Sequence, residues 1–190
     1  MRSIWLGLLV SVSALGCASD EPLVFVGEVE NTDSRFGFVI DGDEGRIYVC
    51  GGEVDRTRHH DWFDVTSADG ATFEGTEGQD SIRLDVDGDV VSGSVTIDDD
   101  EHTLTGTRAS GEDGLYAPAP EDEKGDCRLG VVVAEAGAVI QGVFCDQTVG
   151  AVQVVPIDFD TVDAAVEGFT VASETAQPFE FSVLPVSMNP

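Results

Sequence analysis

The sequence predicts an all-β fold of antiparallel meanders, on three observations. Short runs rich in Val, Ile, Phe and Thr recur between Gly, Asp and Asn turns; the clearest of them alternate apolar and polar residues; and beyond the N-terminus almost no stretch has the apolar spacing of an amphipathic helix. About a dozen strands following one another favour a β-barrel, with a β-sandwich as the alternative. The polar faces of these strands carry charges, which a lipid-facing band would not tolerate, so a transmembrane barrel is not expected.

In chain order, Leu23 to Glu30 and Arg35 to Ile40 are β-rich and joined by Asn31-Thr32-Asp33-Ser34. The run Asp41-Gly42-Asp43-Glu44-Gly45 then turns the chain into Arg46 to Cys50. Gly51 to Asp69 is the least β-like part and reads as an ordered loop or short helix. Ala71 to Thr76 reaches the clearest hairpin, Ser81 to Ile97, through Glu77-Gly78-Gln79. Its Asp87-Gly88 turn signal opposes Val86 to Asp89, Leu84 to Val91 and Ile82 to Gly93. Ile82, Leu84, Val86, Val91, Val95 and Ile97 then share an apolar face, and Arg83, Asp85, Ser92, Ser94 and Thr96 the polar one. A turn near Asp99-Asp100 returns the chain through His102 to Arg108, with Val95 opposite Leu104.

Ala109 to Asp126 mixes Gly, Pro and acids around Gly114-Leu115-Tyr116-Ala117, which suggests a loop with one anchoring strand and a candidate joint in an otherwise single β domain over 23–186. A hairpin follows from Cys127 to Cys145, then strands at Ala151 to Val155, Phe169 to Ala172 and Phe179 to Val186, with a short helical turn expected at Asp160 to Val166.

Residues 1–16 read as a cleaved signal peptide, with Arg2 as the positive n-region and Ile4 to Leu15 as an apolar segment too short to span a bilayer. Ala14-Leu15-Gly16-Cys17 resembles the lipobox of bacterial lipoproteins, although that family prefers Leu where Ala14 stands and a small residue where Leu15 stands. The resemblance implies lipidation of Cys17, a tether over 17–22, and membrane attachment in the bacterial cell envelope. Ala18 lacks the aspartate that retains many such proteins in the inner membrane, so the outer membrane is expected. The alternative is an ordinary signal peptide cut near Gly16 or Ala18.

Thirty-seven acidic residues face nine basic ones, for a formal net charge of −28. Nucleic acid and anionic headgroups are poor partners for such a surface. The single lysine, Lys124, beside eight arginines fits either a saline habitat or a GC-rich genome.

With Cys17 lipidated, Cys50, Cys127 and Cys145 remain, an odd number in an exported chain. A three-residue loop at Glu135-Ala136-Gly137 pairs Ala134 with Ala138, and the same register sets Cys127 opposite Cys145, so a disulfide is expected there and a buried free thiol at Cys50. The runner-up joins Cys50 to one of the other two.

His59-His60-Asp61 with nearby Glu53 is the one cluster with metal-ligand residue types, but neighbouring residues on an extended chain point to opposite faces, so a surface loop explains it better. Asp41 to Gly45 and Asp85 to Asp89 share the opening of a calcium loop without its full spacing. Neither a nucleophile elbow nor a cysteine placed beside a histidine is present. Tyr48, Trp62 and Phe63 fit a core better than a ligand mouth.

The words IYVCGG, DWF, ATFEG, VVSGSVTID and Gly-Leu-Tyr, in that order over Arg46 to Val155, are similar to a β-rich module of secreted actinobacterial proteins. The resemblance implies export and a β fold, and no activity. Together these readings predict a non-enzymatic envelope lipoprotein that needs no cofactor and binds a small ligand, a polysaccharide or another envelope protein. A surface hydrolase or metal-dependent enzyme centred on the His59/His60/Asp61 loop is the alternative.

Overall fold

The computed structural model describes residues 22–119, 127–148, 150–159, 168–176 and 178–188. Residues 1–21, which hold the expected signal and Cys17, and the expected helical turn at 160–166 lie outside the described residues.

The first eight strands are β1 (Leu23–Val29), β2 (Arg35–Asp41), β3 (Glu44–Cys50), β4 (His60–Ser67), β5 (Thr72–Glu77), β6 (Asp80–Asp87), β7 (Val90–Ile97) and β8 (Asp100–Arg108). Each pairs antiparallel with its predecessor, and β8 returns to β1, so an up-and-down barrel closes. The next six are β9 (Gly114–Pro118), β10 (Val131–Ala134), β11 (Val139–Asp146), β12 (Gly150–Pro156), β13 (Phe169–Ser173) and β14 (Glu180–Pro185). β14 pairs with β9 and closes a second barrel. The fold is the all-β antiparallel barrel architecture that the strand pattern predicts, repeated twice.

Period-two alternation places Phe25, Phe36, Phe38, Ile47, Phe63, Phe73, Leu84, Val95 and Leu104 inside the first barrel. Glycines make room for the large rings. Gly27 and Gly106 are register partners, and a Cβ on either would stand 2.6 to 2.8 Å from the Phe36 ring. Tyr116, Val131, Val133, Phe144, Phe169, Val171, Phe181 and Val183 fill the second barrel.

Four expectations need correction. The segment expected to be a loop or short helix contains β4, whose Phe63 and Val65 point inward between more polar neighbours. In the β6–β7 hairpin Leu84 pairs with Gly93 and Val86 with Val91, so the two-residue turn is Gly88-Asp89, with φ +63° at Gly42 and +61° at Gly88 in their respective turns. That pattern, glycine first with positive φ, suits a different tight turn from the one expected at Asp87-Gly88. Across β7–β8, Val95 faces His102 and not Leu104. Finally, Ala134 pairs with Val139 across a four-residue turn in which Glu135, Ala136 and Gly137 all have positive φ. Cys127 therefore lies before β10, outside the ladder.

Candidate functional site

The longest described connection in the first barrel, Gly51 to His59, crosses one barrel end and is tied down by Asp33 from the β1–β2 turn. Asp33 accepts backbone hydrogen bonds from Gly52 (3.1 Å), Val54 (2.7 Å) and Asp55 (3.2 Å), and its own N–H reaches Asp55 Oδ2 at 3.4 Å. Partial burial pushes the Asp33 carboxyl up, but these donors outweigh it and hold the pKa below the usual value. The strap ends at His59, which is 1% exposed. Its Nδ1 lies 2.6 Å from Ser34 Oγ, and its ring meets His102 edge to face at 5.3 Å. Burial lowers the His59 pKa.

His60, half-buried, turns the other way and is raised in pKa by Asp61 beside it, at 3.8 Å. Glu53 is exposed on the strap. The structure thus separates His59 from His60, and among the described residues no three His, Cys, Asp or Glu side chains are grouped to hold a metal ion. Ser34 and His59 form a hydrogen-bonded pair, and both are closed off from solvent, at 1% exposed each. At the same end, Asp61, Glu77, Asp80, Asp98 and Asp99 line an open acidic depression.

The second feature is the joint between the barrels. Val26, Val39, Tyr48 and Cys50 on the outside of the first barrel pack against Leu115, Val132, Ala134 and Val143 of the second. Gly130 lies flat on the Tyr48 ring, and a Cβ at Gly37 would stand 2.8 Å from Leu115. Trp62 stacks near Tyr48 at 4.9 Å, donates to Arg128 O at 3.1 Å and carries the Arg128 guanidinium 4.6 Å above its ring. Tyr48 and Trp62 therefore belong to the joint and Phe63 to the core.

Two glutamines complete the joint. Gln141 Nε2 donates to Cys50 O (2.8 Å) and Asp33 O (3.1 Å), while Gln153 Nε2 donates to Gly51 O (2.8 Å) and Gly52 O (3.0 Å). Arg56 adds a bond to Ala151 O at 3.3 Å, and Arg35 an ion pair with Glu135 at 3.0 Å. Asp33, Ser34, His102, Gln141 and Gln153 escape sequence reasoning. Their only trace is a glutamine set within the apolar runs VIQGVF and AVQVV.

Cys127 and Cys145 are disulfide-bonded, with Cα atoms 5.6 Å apart. Cys50 is a buried free thiol whose Sγ lies 3.5 Å from Gln141 O, and burial raises its pKa. It would be an inert group where it stands.

The geometry defines a tandem of β-barrels packed against each other through an apolar, hydrogen-bonded joint. No protein-family model, curated protein or solved structure matches the chain.

Proposed function

We propose that this chain is an exported, lipid-anchored protein of the bacterial cell envelope whose two barrels act as a non-enzymatic binding or structural module. The observation that carries the module reading is packing. Both barrel interiors are filled by their own side chains, so a ligand, polysaccharide or partner protein has the outer surfaces and loops to dock on. The signal-like residues 1–16 and the lipobox-like Ala14-Leu15-Gly16-Cys17 support the anchor. A chain with net charge −28 gains nothing from anionic headgroups, so an acyl chain at Cys17 would supply its membrane affinity. Ala18 after the anchor favours the outer membrane, and the same charge disfavours nucleic acid.

Intact-mass measurement of the protein from a bacterial host, with detergent-phase partitioning, tests the anchor. An acylated N-terminus at Cys17 is expected, and Cys17→Ser should move the chain to the aqueous phase. An unacylated N-terminus at Ala18 or later overturns it. Zinc titration tests the module reading: stoichiometric binding lost in His60→Ala would replace it with a metal-dependent one.

A further inference from the structure

We propose that the His59–His102 pair is an acid-sensitive latch that holds the Gly51–His59 strap across the joint at neutral pH, and that its protonation frees the strap and loosens the barrels from each other. The two imidazoles come from different parts of the first barrel, one at the end of the strap and one on β8, and meet 5.3 Å apart. Each has a buried Nε2 with no hydrogen-bond partner, and His59 spends its Nδ1 on Ser34. A neutral ring suits this site. A second proton on His59 would add a buried charge and leave its N–H without an acceptor, and charging both rings would set two cations side by side.

The groups around His59 divide in sign. Asp55 from the strap and Asp61 from β4 favour its protonation, whereas burial, His102 from β8 and Arg58 from the strap oppose it, and the opposition prevails. The β1–β2 turn presents Ser34 and Asp33, and Asp33 is already engaged by the strap backbone. From β8 and the turn before it, Asp100 and Asp98 are paired with Arg58. His60 lies next in chain, paired with Asp61.

Release of the strap reaches the joint directly, because the strap supplies Gly51 O and Gly52 O to Gln153 and the Arg56 side chain to Ala151 O. Cys50 adjoins it and is fully buried in the joint. The sign follows from linkage. His59 has a lower pKa in the closed form than in an open one, so the open form binds more protons. Closure is then complete above the ordinary imidazole range, near 6.5, and lost as pH falls below it. Asp33, whose pKa is lowered from an already acidic value, keeps its charge over that interval.

The test uses the full chain with Cys17→Ser, which leaves Cys50 as its one reduced thiol. Its reaction with 4,4′-dithiodipyridine is followed from pH 7.5 to 5.0 relative to a small thiol at each pH, with circular dichroism monitoring the strands. The relative rate should rise below about pH 6.5, by roughly tenfold per pH unit for each proton taken up, while the strand signal is unchanged. His59→Asn, which keeps a polar group for Ser34, should abolish the rise. His59→Gln, which offers Ser34 a polar group on a longer arm, should abolish it as well. A flat wild-type profile, an unchanged rise in His59→Asn, or loss of strand signal in step with labelling overturns the latch. Should His59→Asn not fold, an undiminished rise in His59→Gln does so.

Discussion

Gly130 lets two barrels touch, because the Tyr48 ring occupies the space a side chain would need. Gly130→Ala must push the ring or the β10 approach aside, and overpacking of this kind costs about 1–3 kcal/mol, read as a lower denaturant midpoint. Asp33 acts through charge. Asp33→Asn keeps the shape but weakens the acceptor for three strap N–H groups, a loss of about 1–2 kcal/mol. The wild-type carboxyl has a lower pKa folded than unfolded, so its contribution is present above the unfolded value, near 3.9, and lost as pH falls through the folded one. In urea titrations of both proteins from pH 7 downward, the gap between them should therefore narrow once the pH passes below the unfolded value. Neither residue is legible as special in the sequence. Asp33 is one of thirty-seven carboxylates, and its role depends on a strap that begins 18 residues later. His59 looked like a metal-ligand candidate beside His60, and only the fold reveals Ser34 and His102 as its neighbours.

At the scale of elements, strand faces were more legible than registers. In the β6–β7 hairpin the partner of Leu84 is Gly93 and not Val91, a slip of two positions that preserves which residues face inward. Ile82, Leu84, Val91, Val95 and Ile97 are accordingly buried as expected. The Cys127–Cys145 hairpin slips by one, yet the disulfide forms because Cys127 lies beyond the ladder and is free of its alternation. β4 was missed because His60, Asp61 and Trp62 precede its apolar alternation and dilute the signal. Turn chemistry offers a direct check. Gly88 sits at φ +61° with open space around it, so Gly88→Ala costs only the backbone strain, about 1–2 kcal/mol. Gly88→Asn should cost less, as thermal denaturation would show.

For the whole molecule, the strands buried on both faces mark the joint. β9 and β10 are buried at every residue, which is why GLYAP and VVVA are uninterrupted apolar runs, whereas β6 and β8 alternate against solvent. That contrast is readable in the sequence, but a run buried on both faces does not say whether a second layer or a second barrel covers it. The disulfide belongs to the second barrel alone. Reducing it, or Cys145→Ser, should destabilise that barrel by about 2–4 kcal/mol and give it an earlier thermal transition than the first. Net charge acts on both barrels. Exposed ion pairs such as Arg46–Asp64 contribute little, so screening relieves more repulsion than attraction, and adding monovalent salt should raise both transitions in calorimetry. Because β8 returns to β1 and β14 to β9, both barrels close on themselves among the described residues and neither sheet ends in an open edge strand. Copies crowded on one surface would then have no ladder to extend into their neighbours, and high local density would not by itself lead to strand-to-strand aggregation.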